Sequence, residues 1–223
     1  MLKPSPFIFI LDLETTGFCP IKNDVITLGL EVVDSTLNTI DSLYLKMKPD
    51  IYKWMNDTNI AVEVHGFTLA EMACFPDRRE SLIELMHFLK KYKCPHNSTR
   101  SLFYHALNGF DYLFLEWAFR KEDLQYSMWK IFDFPHAHST VLLGRSLGYE
   151  GNSLKVWADR MSENFNHHNA LEDAFMCGKI LKYILRNHFN NDVEELFKHL
   201  WKVKNNDLQK VQEKEEPTGF FNL

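Results

Sequence analysis

Ile8-Phe9-Ile10-Leu11-Asp12-Leu13-Glu14-Thr15-Thr16-Gly17 carries an apolar run of strand length into two acids one residue apart, and then into a glycine turn. Residues two apart on a strand point to the same face, so Asp12 and Glu14 present their carboxylates side by side. Two like charges at that spacing do not both ionise cheaply. Either one carboxyl keeps its proton or a cation lies between them, and hard oxygen ligands suit Mg²⁺ or Mn²⁺. Asp-x-Glu is a frequent accident in an acidic chain, and a solvated strand end is the bland alternative. The strand end and the following Thr-Thr-Gly give this instance its weight.

Outward from that stretch, Phe7 to Leu13 reads as a first strand suited to the buried centre of a sheet. A loop over 18–24 follows. Val25 to Val33 and Ile40 to Met47 are further strands, divided by the turn chemistry of Asp34-Ser35-Thr36-Leu37-Asn38. Three strands in succession predict an antiparallel meander. Residues 49–76 look irregular, with a Thr68–Glu71 capping box opening a short helix. Asp77 to Tyr92 then sets Leu82, Leu85, Met86 and Leu89 at helical spacing. Lys90, Lys91 and Lys93 at its end complement the helix dipole, or contact phosphate.

Ser101 to Leu107 is a fourth strand, and Asn108 is the expected cap of a helix with Asp111 in its first turn and Tyr112, Leu115 and Phe119 along one face. Ile131 to Phe134 is the expected fifth strand. Helices follow over Thr140 to Leu147, Ser153 to Met161, Ala170 to Arg186 and Asp192 to Val203, the last with a core stripe of Val193, Leu196, Phe197, Leu200 and Trp201. A chain of 223 residues fits one domain, read as 1–204 with a tail over 205–223.

Whole-chain properties exclude several classes. No apolar stretch reaches the roughly 18 residues of a membrane span, and the first residues lack the pattern of a signal peptide. Cys19, Cys74, Cys94 and Cys177 are scattered with no Cys-x-x-Cys pair, as in reduced intracellular proteins, so an intracellular location is expected. The formal net charge of −5 speaks against a long basic groove. Two bound divalent cations would bring it to about −1, which suits a protein that grips a nucleic-acid end.

The acids at structural ends are Asp12 and Glu14, Asp111 and Asp173, and strand ends and helix starts on one sheet edge converge in space. Asn169 and Glu172 form a capping-box pattern that starts a helix at Ala170, so Asp173 lies in its first turn and His168 just outside it. Five helical positions would separate His168 and Asp173 by about 140°. His168 therefore reaches the carboxylates only from a non-helical position, where the helix N-terminus keeps it neutral and able to accept a proton. His167 reads as a polar loop residue. His136 and His138 form a His-x-His pair beside Pro135 that reads as surface loop rather than metal site.

These residues resemble the DEDDh class of 3′-to-5′ exonucleases, which have a ribonuclease H-like fold. Asp12-Leu13-Glu14-Thr15-Thr16-Gly17 is similar to its first motif, Phe110-Asp111 to its second, and His168-Asn169-Ala170-Leu171-Glu172-Asp173-Ala174 to its third. Val64-His65-Gly66-Phe67-Thr68 is similar to a segment of proofreading-type members, and the likeness runs from about Phe7 to Leu185. Two features depart from the pattern. His105 is followed by Ala106, with Asn108 displaced, and His138-Ser139-Thr140 stands where relatives often carry an acid.

The resemblance implies an α/β fold with a mixed five-stranded sheet, its second strand antiparallel, and helices on both faces. It implies two Mg²⁺ or Mn²⁺ ions: Asp12, Glu14 and Asp173 would hold one, and Asp12 with Asp111 the second. His168 would deprotonate the attacking water. The substrate would be single-stranded or frayed 3′ ends of DNA, favoured over RNA, and the product nucleoside 5′-monophosphates. Thr15 and Thr16 would contact the terminal nucleotide, and Phe18 would stack on or wedge beside a base, against the alternative of core packing. A non-cleaving binding module on the same fold and an oligoribonuclease-like phosphodiesterase of short oligonucleotides stay open. Phe220-Phe221 is either a partner-docking end or a packed or disordered one.

Overall fold

Five strands, β1 (Lys3–Thr15), β2 (Val25–Asp34), β3 (Thr39–Lys46), β4 (Ser98–Tyr104) and β5 (Ala137–Ser139), form one sheet in the order β3-β2-β1-β4-β5. A computed structural model provides the coordinates and describes residues 3–50, 65–93, 98–107, 109–124, 131–132, 137–164 and 167–214. β1 pairs antiparallel with β2, and β2 with β3, whereas β1–β4 and β4–β5 are parallel. The expected meander is thus present, with its second strand reversed. Asp34 closes the β2–β3 turn: its Oδ1 accepts the backbone N–H groups of Thr36 and Asn38 at 2.8 and 3.0 Å.

Seven helices occur among the described residues: α1 (Leu69–Ala73), α2 (Arg78–Leu89), α3 (Phe110–Lys121), α4 (Thr140–Ser146), α5 (Leu154–Met161), α6 (Ala170–His188) and α7 (Val193–Lys214). The expected capping box at Thr68 and Glu71 opens α1. Strand alternation divides β1 between two cores. Phe9, Leu11 and Leu13 meet Leu82 and Leu85 of α2 and Leu115 and Phe119 of α3. Ile8 and Ile10 meet Ile180, Leu181 and Ile184 of α6 on the other face, with Trp157 of α5 and Leu196 of α7. Asp12 and Glu14 continue the Ile8–Ile10 row past the end of that core.

Several sequence expectations are corrected. The fifth strand is Ala137–Ser139, because these residues pair with Leu102–Tyr104. Ile131 and Phe132 are buried against the sheet face instead, with the Phe132 ring 5.3 Å from that of Phe9. An apolar run of that length serves either role. His138 is no surface-loop residue: it lies in β5, buried, its ring 5.2 Å from Phe103. β4 ends at Tyr104, not Leu107. The cap of α3 is Gly109, in the left-handed region at φ 68°, and Asn108 lies outside the described residues. In α7, Leu196 and Leu200 are buried but Trp201 is 46% exposed, at the edge of the stripe. The α7 backbone runs through Lys214, past the Val203 expected as the end of that helix. His136, Val64, Cys94 and Phe220-Phe221 lie outside the described residues. Among the described residues, no helix is long and apolar enough to cross a membrane.

Candidate active site

Parallel pairing of β1 with β4 sets Leu11 beside Tyr104, so both strands end at one edge of the sheet. Asp12 and Glu14 stand at that edge. The chain leaving β4 turns at Gly109 and enters α3, placing Asp111 in its first turn, 3% exposed. The Asp111 carboxylate accepts the backbone N–H of Leu13, which ties the helix start to β1.

Asp173 arrives from α6. Asn169 caps that helix, its Oδ1 accepting the N–H groups of Leu171 and Glu172 at 3.1 and 3.3 Å. The first turn of α6 lies hard against β2 because residue 29 is glycine: a Cβ there would sit 2.1 Å from the Ala170 carbonyl oxygen. Gly29 pairs with Asp12, so the same close approach brings Asp173 onto the β1 acids. Oxygens of Asp12, Glu14 and Asp173 lie within 4.8 Å of one another.

Electrostatics at this cluster are unfavourable without a cation. Burial, followed by the charges of Asp111, Asp173 and Glu14, holds the Asp12 carboxyl well above the usual range. Burial and the Asp173 charge push Glu14 up to about 7, against the pull of His167. Burial also pushes Asp111 up to about 7, although backbone N–H donors oppose it. Asp12, Glu14 and Asp111, whose charged forms are disfavoured here, are oxygen donors suited to hard divalent cations, whose charge would reverse these shifts. The residues fit such a centre.

His168 precedes the α6 cap with φ 73°, a left-handed turn rare outside glycine, and its backbone N–H reaches Asp173 Oδ2 at 3.3 Å. That turn supplies the non-helical position that the sequence demanded. Burial and then the neighbouring His167 lower the His168 pKa. His167 departs from its reading as a plain loop residue. Its Nδ1 meets Asp173 Oδ2 at 3.0 Å, and its ring stacks on His168 with centroids 3.9 Å apart. The hydrogen bond with Asp173 raises its pKa. Both rings line the same cavity.

That cavity, about 540 Å³, is lined by Asp12, Glu14, Asp111 and Asp173 and also by His105, Val141, Arg145 and Asn152. His105 is held at both ring nitrogens. Its Nε2 donates to the Asn152 carbonyl at 2.6 Å and its Nδ1 meets the Thr140 hydroxyl at 2.8 Å. Burial, above all, lowers its pKa to about 4, so the ring is a neutral strut. Thr15, Thr16 and Phe18 do not line the cavity. Thr15 donates its hydroxyl to the Gly17 carbonyl, and Thr16 closes the loop on Asp24 through its amide and hydroxyl. Phe18 is 77% exposed, which removes the core-packing alternative.

Gly29, His167 and Arg145 are additions to the sequence reading. An isolated glycine inside the run Leu28-Gly29-Leu30 is a recognisable sign of close backbone approach. Arg145 follows Val141 by one helical turn and carries no comparable signal.

A family model described as Exonuclease, RNase_T, matches residues 9–181. No curated protein matches the sequence. The chain is similar to the nuclease domain of 3′hExo, a DEDDh family member bound to rAMP, with a TM-score of 0.65 at 16% identity over 82% of this chain and 94% of that one. It is similar to a 3′-exonuclease solved for 3′-end recognition of the histone mRNA stem-loop, with a TM-score of 0.62 at 15% identity over 83% and 84% of the two chains. It also resembles E. coli exonuclease I in complex with a dT13 oligonucleotide, with a TM-score of 0.68 at 15% identity over 86% of this chain and 43% of that one. The chain thus spans less than half the length of exonuclease I. At these identities the likeness establishes the fold, a ribonuclease H-like mixed sheet.

Proposed function

The chain belongs to the RNase_T exonuclease family, and from that premise we propose a metal-dependent 3′-to-5′ exonuclease that releases nucleoside 5′-monophosphates from single-stranded or frayed 3′ ends, DNA ahead of RNA. The observation that carries this reading is the convergence of Asp12, Glu14 and Asp173 oxygens within 4.8 Å, with Asp111 and the imidazoles of His167 and His168 in the same cavity. Solved relatives described as bound to rAMP or to a dT13 oligonucleotide support a nucleic-acid end as substrate.

In this reading Asp12, Glu14 and Asp173 hold one divalent cation, Mg²⁺ or Mn²⁺, and Asp12 with Asp111 holds a second. When bound, the pair supplies charge neutralisation and nucleophile activation for an in-line displacement at phosphorus. His168 accepts the proton of the attacking water, a role for which its lowered pKa and exposed position suit it. His167 fixes the Asp173 carboxylate through Nδ1. Thr15, Thr16 and the exposed Phe18 meet the terminal nucleotide, with Phe18 against its base.

Labelled DNA and RNA strands of several lengths, incubated with Mg²⁺ or Mn²⁺, test the reading. Laddering from the 3′ end is expected, and it should vanish in Asp12→Ala, Asp173→Ala and His168→Ala. Tight binding without cleavage would establish a binding module instead, and turnover confined to dinucleotides a phosphodiesterase of short oligonucleotides.

A further inference from the structure

The cavity that the carboxylates line also holds a group that the reaction as described leaves unused. Arg145 is the only lysine or arginine among the described cavity-lining residues. It sits one turn after Val141, on the face of α4 that looks into the cavity. That helix is firmly placed: Ser139 caps it by accepting the Leu142 N–H at 3.3 Å, and the Thr140 hydroxyl is bonded to both His105 and the Tyr104 carbonyl.

Several other arginines have fixed partners. Arg78 pairs with Asp24 and Glu122, Arg120 with Glu116, and Arg160 donates to the Glu150 carbonyl while lying over the Tyr149 and Trp157 rings. Among the described residues the Arg145 guanidinium has neither an acidic partner nor a hydrogen bond, while its backbone carbonyl accepts the Gly148 N–H at 3.0 Å. Arg186, near the far end of α6, likewise has no side-chain partner among them but does not line the cavity. Nor is it among the charges that act most on Asp12 and Glu14, which are those of their acidic neighbours and His167. Its charge is therefore not consumed by the site's own carboxylates.

A strand entering this cavity brings more than one phosphate. Cations held by Asp12, Glu14, Asp111 and Asp173 would neutralise the scissile one, and the next phosphate toward the 5′ side needs its own positive partner in a protein of net charge −5. A guanidinium offers a planar fork that matches two phosphate oxygens. We propose that Arg145 binds the phosphate one linkage 5′ of the scissile bond, so that the site prefers strands with at least two phosphodiesters. This rests on the exonuclease reading and adds a strand-binding residue to it.

The experiment uses the full chain, with Arg145→Ala and Arg145→Lys, on three substrates. They are an all-phosphodiester pentanucleotide, the same strand with an uncharged methylphosphonate one linkage 5′ of the scissile bond, and the p-nitrophenyl ester of thymidine 5′-monophosphate. Arg145→Ala should raise KM on the ordinary strand by about 10- to 100-fold, the worth of one charge-assisted contact, with kcat nearly unchanged. Its salt dependence should weaken by a slope of roughly 0.7. Arg145→Lys should recover part of the loss. Turnover of the single-phosphate ester should not change. The methylphosphonate should cost the wild type as much as Arg145→Ala does and cost the variant nothing further. Equal losses on the ester, additive losses on the methylphosphonate strand, or an unchanged KM would each overturn the inference. A wild-type chain that degrades no strand removes the exonuclease reading itself. An active wild type with an indifferent Arg145→Ala removes only this inference.

Discussion

Replacing Gly29 with alanine adds one methyl group against backbone alone, and the structure predicts that it disables the site. The added Cβ would lie 2.1 Å from the Ala170 oxygen, 2.2 Å from its carbonyl carbon and 2.4 Å from the Leu171 nitrogen, all backbone of the first turn of α6. No rotamer change relieves such a contact. Restoring an ordinary 3.4 Å separation requires β2 and α6 to part by about 1.3 Å. Asp173 rides on that same turn, so its carboxylate moves away from Asp12 and Glu14. Displacement of about 1 Å in a reacting assembly costs on the order of 10²-fold in rate, or about 2.7 kcal/mol of transition-state stabilisation. Overpacking adds about 1–3 kcal/mol of destabilisation. The two effects separate by measuring kcat on a 3′-labelled strand at a temperature where urea titration shows the variant fully folded, and Mn²⁺ affinity by calorimetry. A folded Gly29→Ala variant with wild-type kcat and Mn²⁺ affinity would refute the claim that this contact sets the site.

Glu31, 4% exposed beneath α6, is pushed up to about 7 by burial, against the hydrogen bond from Thr39. A raised carboxyl pKa costs stability as pH rises from about 4.5 to about 7, since only the unfolded chain then releases its proton. Glu31→Gln should therefore stabilise the protein by up to about 3 kcal/mol at pH 8 and by nothing near pH 4, read from urea midpoints across that range; an equal gain at both ends would contradict the assignment. Asp24 accepts from Arg78 at 2.7 Å, from Lys121 at 2.8 Å and from the Asp50 N–H at 2.9 Å, joining the β1–β2 loop to α2 and α3. Asp24→Ala leaves Lys121 without an acidic partner and Arg78 with Glu122 alone, and should cost about 3–5 kcal/mol in chemical denaturation. Mg²⁺ or Mn²⁺ at about 100 times its dissociation constant should stabilise the wild type by about 2.7 kcal/mol, and a comparable shift in melting temperature for Asp12→Ala would count against the proposed centre. His168→Ala should lower kcat more than His167→Ala does, and the reverse order would transfer the proton-accepting role to His167.

Legibility in the sequence followed the reach of each physical rule. Alternation set Asp12 and Glu14 on one face because strand period holds without any knowledge of neighbours, and the turn chemistry at Asp34 fixed the antiparallel pair. The capping pattern at Asn169 located the start of α6 and so the turn that carries Asp173. What pattern missed depends on tertiary choice. Ile131 and Phe132 have strand composition but serve the core, while the short β5 is decided by pairing with β4. His167 reads from the sequence as a polar loop residue, yet beside the left-handed turn at His168, with its φ of 73°, its ring meets Asp173 and stacks on that of His168.

The same physics also explains why packing and chemistry are inseparable here. α6 lies against the sheet at two glycines, one on each partner. Gly29 on β2 admits the helix backbone at Ala170, and Gly178 on α6 admits the sheet, where a Cβ would meet Glu31 Oε2 at 2.3 Å and Ile10 Cδ1 at 3.1 Å. Beyond Gly178, Ile180, Leu181 and Ile184 cover Ile8 and Ile10. The helix cannot withdraw at its N-terminal end without losing that apolar contact, because it is one rigid element. The energy that holds Asp173 against Asp12 and Glu14, despite their mutual repulsion, thus comes from burial further along the same helix. Substitutions at Ile10 or Ile180 should accordingly lower metal affinity as well as stability, although neither side chain reaches the cavity.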